Sequence, residues 1–179
     1  MKPCVFTGNC VALATPMHED GSINLEGLTA LIEFVICGGV DAILVCGTTG
    51  ESATLTAQER EAIIRQTVSV VSGRVPVIVG TGTNDTAHAG ALSQQAQALG
   101  ADALLLVTPY YNKTSQEGLV QHFTAIADSV SLPVILYNVP SRTGVNIQPE
   151  TYRRLAQHPR IVATKEANGD LSALLITRN

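Results

Sequence analysis

Tryptophan is absent from the 179 residues, aromatics make up only 4% of them and charged residues 15%. What is missing narrows the field first. The net charge is −4 and no Lys/Arg cluster is interleaved with aromatics, so the electrostatic footprint of a nucleic-acid binder is lacking. No apolar run reaches the roughly 18 residues that a bilayer span needs, and the opening Met1-Lys-Pro-Cys4 lacks the apolar core of a signal peptide. These absences predict a cytoplasmic protein with neither nucleic acid nor membrane as partner. Cys4, Cys10, Cys37 and Cys46 show no C-x-x-C spacing, and the last three lie in or beside apolar runs, which predicts buried free thiols. His18, His88, His122 and His158 form no H-x-H or H-E-x-x-H group, so no metal site is expected. Nor does a G-x-G-x-x-G follow the first apolar run, and Gly80-Thr-Gly82 alone is too little for a dinucleotide-binding turn.

Apolar residues, by contrast, supply 45% of the chain, enough for one substantial core and about one domain. Asn9-Cys-Val-Ala-Leu-Ala-Thr-Pro16 reads as a buried first strand, followed by a turn at Asp20-Gly21. Leu25, Leu28, Leu31, Ile32, Val35 and Ile36 fall on one helical stripe, which Gly38-Gly39 closes. Asp41-Ala-Ile-Leu-Val-Cys46 reads as the second strand and empties into the small-residue loop Gly47-Thr-Thr-Gly-Glu51. Thr56 with Glu59 predicts a capping box for a helix whose inner face is Ile64, Thr67, Val68 and Val71. Pro76-Val-Ile-Val-Gly80 is the third strand. The pattern then echoes: Gly39-Val-Asp-Ala returns as Gly100-Ala-Asp-Ala, and Val75-Pro-Val-Ile-Val as Leu132-Pro-Val-Ile-Leu. An echo about 60 residues apart spans two strand-helix units of about 30 each, the length of parallel strands joined by helices. Thr114 with Glu117 predicts a second capping box, ahead of an inner face of Leu119, Phe123, Ile126 and Val130, and Pro149 predicts the first turn of a later helix. Six strands result, near Ala12, Leu44, Ile78, Leu105, Ile135 and Val162.

Nearly continuous apolar strands imply that both sheet faces are covered, as in a doubly wound sheet or a closed barrel. Polar residues follow nearly every strand: Thr48, Thr49 and Glu51, then Tyr110 and Tyr111, then Tyr137, Asn138 and Arg142, then Lys165. In a barrel those ends converge on one face. Lys165 stands where a β-branched run stops, so packing should hold its stem, and a neutral amine there can attack a ketone to form a Schiff base. Read singly, Lys165 could equally snorkel to water, Thr48 and Thr49 could simply make a turn, and the tyrosines could be rim packing. Six units would leave the first and sixth strands with unpaired edges.

In order, Gly47-Thr-Thr-Gly-Glu51, Pro109-Tyr-Tyr-Asn112, Tyr137-Asn-Val-Pro-Ser-Arg-Thr-Gly144 and Lys165-Glu166 resemble the signature of the dihydrodipicolinate synthase family. That family belongs to the class I pyruvate-dependent aldolases, with N-acetylneuraminate lyase. The resemblance implies an α/β fold of the (β/α)8 TIM-barrel type. Residues 1–179 would be a partial barrel domain with about the first six units, lacking the family's final strands and C-terminal helical region. It implies a lyase that condenses pyruvate with L-aspartate 4-semialdehyde through a lysine Schiff base, on the route to lysine and diaminopimelate. Lys165 would form the imine and Tyr137 would be the general acid-base. Thr48 and Tyr111 would share the phenol's proton, with Tyr111 reaching into an adjacent subunit of a dimer or tetramer. Thr49 and its loop amides would hold the pyruvate carboxylate, and Arg142 the carboxylate of the aldehyde, a match of fork to carboxylate. No cofactor and no metal is implied. Ser52, Ala53, Asn84 and Tyr110 fit the pocket in which inhibited members bind lysine. Ala57 and His88 stand where a histidine and a glutamate are usual, so weak or absent lysine feedback is expected. Two alternatives stay open: a relative cleaving another 2-oxo acid aldol, such as sialic acid or a sugar acid, which the Arg142 loop disfavours, and an inactive remnant.

Overall fold

The computed structural model describes Lys2, residues 4–172 and Leu175. Each expected apolar run contains a strand: β1 (Cys10–Ala12), β2 (Ala42–Val45), β3 (Val77–Gly80), β4 (Ala103–Val107), β5 (Val134–Asn138) and β6 (Ile161–Glu166). Between them run α1 (Leu25–Cys37), α2 (Ala57–Val71), α3 (Thr86–Ala98), α4 (Gln116–Asp128), the single turn α5 (Pro140–Thr143) and α6 (Pro149–Leu155). The strands lie in one sheet in chain order, β1-β2-β3-β4-β5-β6. The β1–β2, β2–β3 and β5–β6 pairs are parallel. A doubly wound sheet reverses its strand order at a switch point, whereas a (β/α) barrel keeps it sequential, so the order decides for the barrel type. As expected, β1 and β6 stand at the two ends of the order.

The chain divides into two compact units, and in the first, formed by Cys4–Gly80 and Gln95–Leu104, the local signals act as the sequence implies. Asn24 caps α1 by accepting from Gly27 N at 2.7 Å, and Leu28 and Ile32 are buried. Gly38 caps the other end, and Gly39 takes φ +82°, open to glycine and strained for other residues. The Thr56–Glu59 capping box of α2 is present. Ile63, Ile64, Thr67 and Val71 form its buried face, where Ile63 replaces Val68. The echo also has a physical role. Asp41 accepts from Asn9 N at 2.7 Å and Asp102 from Val77 N at 2.8 Å. Each repeat thus places a carboxylate on an amide at the start of the preceding strand.

The second unit holds Thr81–Gln94 and the chain from Leu105 on. Leu119, Phe123, Ile126 and Val130 are buried as expected, and Pro149 opens α6. The capping box at Thr114 and Glu117 does not form. Ser115 caps α4 instead, accepting from Gly118 N at 3.1 Å, because the Glu117 carboxylate is engaged by Arg154 at 2.7 Å and by Gln121 at 3.3 Å. Two further expectations are corrected. Cys46 alone is a buried thiol; Cys10 is half-buried, and Cys4 and Cys37 are exposed, Cys37 because α1 ends there on its open side. And β6 is not covered on both faces among the described residues: Ile161 is buried, but Ala163, Thr164 and Lys165 are exposed. Among the described residues no helix is long and apolar enough to cross a membrane.

Candidate active site

β6 and β5 present a lysine and a tyrosine side by side. Tyr137 and Lys165 are register partners, and Lys165 Nζ lies 4.4 Å from the centroid of the Tyr137 ring, within cation–π range. Packing among the described residues does not grip the lysine stem, which is exposed, and the tyrosine face is what the amine meets. Tyr137 itself is buried, 8% exposed, and its carbonyl accepts from Thr108 N at 3.1 Å. Its hydroxyl makes no hydrogen bond among the described residues and so remains available to a ligand.

The β5–β6 pair has a second face. Alternation along a strand turns Asn138 and Glu166, the next register pair, away from Tyr137 and Lys165. Asn138 is fully buried and its Nδ2 donates to both Glu166 oxygens, at 2.9 and 3.1 Å, and to Asn146 Oδ1 at 2.7 Å. Tyr152 donates its hydroxyl to Glu166 Oε2 at 2.7 Å. The motifs contain Asn138 and Glu166 but assign them no role, and Tyr152 lies outside every motif. A buried Asn set opposite a carboxylate across two adjacent strands is the signal that register, once known, would expose.

Arg142 closes α5, where Gly144 at φ +69° ends the turn. Its guanidinium is exposed and makes no hydrogen bond or ion pair among the described residues, which leaves its fork open. Tyr111 is 92% exposed and takes φ +68°, a left-handed conformation disfavoured for an aromatic residue. Its loop is tied down one residue on, where Asn112 Nδ2 donates to Asn84 O at 3.0 Å. Tyr110 and Asn84 are half-buried. Neither Arg142 nor Tyr111 makes a hydrogen bond, ion pair or ring contact with Tyr137 or Lys165.

Thr48, Thr49, Ser52 and Ala53 belong to the other compact unit. The loop after β2 is wound tightly: Gly50 N donates to Gly47 O at 3.1 Å, Glu51 N to Thr48 O at 3.1 Å, and Thr15 Oγ1 to Gly50 O at 2.7 Å. Arg60, buried, clamps it by donating to Ser52 O at 3.2 Å and Gly80 O at 2.8 Å. A Cβ on Gly80 would sit 2.3 Å from Cys46 O, so the loop base admits no side chain there. Thr48 and Thr49 are exposed and their amides donate to none of these carbonyls. Two adjacent N–H groups on this tight turn thus have no backbone acceptor among the described residues.

An amine beside a phenol supports imine chemistry on a ketone; a free guanidinium in one unit and unpaired amides in the other are each, taken separately, groups suited to a carboxylate. The model of the dihydrodipicolinate synthetase family matches residues 5–179. A 4-hydroxy-tetrahydrodipicolinate synthase of Thermoanaerobacter sp. (strain X514) is 56% identical over 168 residues, which cover 93% of this chain and 56% of that protein. One from Geobacter metallireducens is 56% identical over 167 residues, covering 93% and 57%. Among solved structures, dihydrodipicolinate synthase of Thermotoga maritima superposes with a TM-score of 0.95 at 44% identity over 98% of this chain and 59% of its own. The chloride-inhibited enzyme of Acinetobacter baumannii complexed with pyruvate gives 0.93 at 48% identity, over 95% and 58%. The chain thus spans somewhat more than half the length of these relatives.

Proposed function

The chain belongs to the dihydrodipicolinate synthetase family, and from that premise we propose that its site serves a lyase condensing pyruvate with L-aspartate 4-semialdehyde in lysine biosynthesis. The observation that carries the reading is the Lys165 amine 4.4 Å from the centre of the Tyr137 ring at register-paired positions. The amine attacks the ketone carbon of pyruvate to give a carbinolamine. Tyr137 delivers a proton to the departing hydroxyl, water leaves, and an imine to Lys165 remains. Tyr137 then helps move a proton off the methyl carbon, and the resulting enamine attacks the aldehyde carbon of the second substrate. The amino group of that substrate next closes on the imine carbon and frees Lys165, giving 4-hydroxy-tetrahydrodipicolinate. A phenol is a poor base near neutral pH unless its proton is shared, the role of Thr48 and Tyr111. Thr49 and the loop amides take the pyruvate carboxylate, and Arg142 the carboxylate of the aldehyde. The reaction needs neither metal nor nucleotide.

The same reading makes the protein a cytoplasmic homo-oligomer, dimer or tetramer. An aromatic residue as exposed as Tyr111, on a loop held at its base, supports a role across a subunit boundary. Lysine feedback is weak or absent, because Ser52, Ala53, Asn84 and Tyr110 are joined by Ala57 and His88 in place of groups that would hold an ammonium. Pyruvate consumption, followed with L-aspartate 4-semialdehyde and separately with N-acetylmannosamine, tests the assignment. Turnover with the first and none with the second is expected. The opposite preference would transfer the protein to the sialic acid branch of the aldolases, and no consumption with either aldehyde would leave an inactive remnant.

A further inference from the structure

We propose that Glu166 is a positioning residue for the Schiff-base lysine, acting from the opposite face of β6 through the strand it anchors. The inference rests on the imine-forming role of Lys165 given above and deepens it. β6 is laddered to β5 with Tyr137 opposite Lys165 and Asn138 opposite Glu166. Past Lys165, the Glu166 carboxylate ties the strand to its surroundings: it receives Asn138 Nδ2 at 2.9 and 3.1 Å, Tyr152 OH at 2.7 Å and Asn168 N at 3.0 Å.

The partners of that carboxylate are themselves fixed. Asn138 Oδ1 accepts from Ile147 N at 3.1 Å, its Nδ2 reaches Asn146 Oδ1 at 2.7 Å, and its carbonyl accepts from Ala167 N at 2.9 Å. Tyr152 projects from α6 and accepts Thr164 Oγ1 at 3.3 Å, so its own proton is committed to Glu166. Burial, with the neighbouring Glu166 carboxylate, holds the Tyr152 phenol above its ordinary range, so it stays a donor. Every group facing the carboxylate donates. An acceptor-only side chain is what such a socket requires, and an amide would set an NH2 against a donor. The clamp joins β5, the turn at 146–147, α6 and the turn after β6. Because Asn138 follows Tyr137 and Glu166 follows Lys165, it fixes the spacing of the reactive pair on the other face.

A merely structural tie would lower stability and leave the amine's aim alone. The two roles separate in Glu166→Gln, Glu166→Ala, Tyr137→Phe and the double variant E166Q/Y137F, each checked for folding by a denaturant melt. The readout is the rate at which pyruvate and borohydride fix an adduct on Lys165, across pH and pyruvate concentration. In E166Q the rate at saturating pyruvate is expected to fall about 10- to 100-fold, the scale of a misplaced reacting group, while half-saturation stays within about twofold. The pH midpoint of trapping shifts as well, and E166Q costs little more once Tyr137 is Phe. Wild-type rate and pH midpoint in folded E166Q and E166A, or losses that simply multiply in the double variant, overturn the inference. Should the Glu166 variants not fold, Tyr152→Phe removes one donor and is expected to slow trapping about 3- to 10-fold, and an unchanged rate there counts against the role. If the wild-type protein traps no pyruvate, the functional reading fails by itself. Positioning is then read from the pH dependence of acetic anhydride labelling at Lys165, and identical profiles in wild type and E166Q overturn it.

Discussion

β5 and β6 lie side by side, yet β5 is buried at all five positions and β6 opens to solvent after its first two residues. Both deliver a residue to the proposed chemistry. Tyr137 takes its aim from packing, since β5 has a strand on either side in the sheet order. For Lys165, the aim is assigned, under the proposed role of Glu166, to hydrogen bonds on the reverse face of β6. Close packing would then orient one member of the pair and a directional tether the other.

The sharpest break in the comparison is at the amine. Lys165→Met should abolish the borohydride-trapped adduct entirely while leaving the denaturation midpoint nearly unchanged, because the side chain is exposed; intact mass and a urea melt read the two effects. On the inner strand, Tyr137→Phe should slow adduct formation about 10²- to 10⁴-fold, the range for a lost general acid-base, as read by quenched-flow trapping. Its hydroxyl has no hydrogen-bond partner among the described residues, so stability should move by less than about 0.5 kcal/mol. Asn138→Leu reverses the balance. It strips partners from Ile147 N, Asn146 and Glu166 at once and should cost about 2–4 kcal/mol by urea denaturation.

The smallest effect is common to both strands. His122 on α4 is buried, with Nδ1 bonded to Thr86 Oγ1 at 2.8 Å and Nε2 without a partner among the described residues. Burial, only partly opposed by the charge of Asp85, pushes its imidazole down from 6.5 to about 4. The unfolded chain therefore takes up the proton first. The contribution to stability is complete above pH 6.5 and is lost as the pH falls toward about 4. His122→Gln should flatten that acid limb in urea melts without changing the relative trapping rates of the Tyr137 and Glu166 variants. A change in those ratios would tie the strand contrast to α4.

What the sequence shows plainly is local. The strands, the α1 stripe, the Thr56–Glu59 box and Pro149 are each decided within a few residues, and each forms as read. The motif order likewise brings Tyr137 and Lys165 to neighbouring strand ends. Misreadings arise where a distant partner decides. Glu117 leaves its expected cap for Arg154, 37 residues away. The clamp joins positions 28 and 14 residues apart, and no periodicity encodes such spacing. Cys37 illustrates the same limit: an apolar run suggests burial, but the helix face decides it.

The chain has three lysines, Lys2, Lys113 and Lys165, so the central claim can be put to a single residue. Protein treated with pyruvate and borohydride, then digested and mapped by mass spectrometry, should carry the reduced adduct on Lys165 and on neither of the others. A folded sample without adduct, or with label shared evenly among the three, would contradict the account.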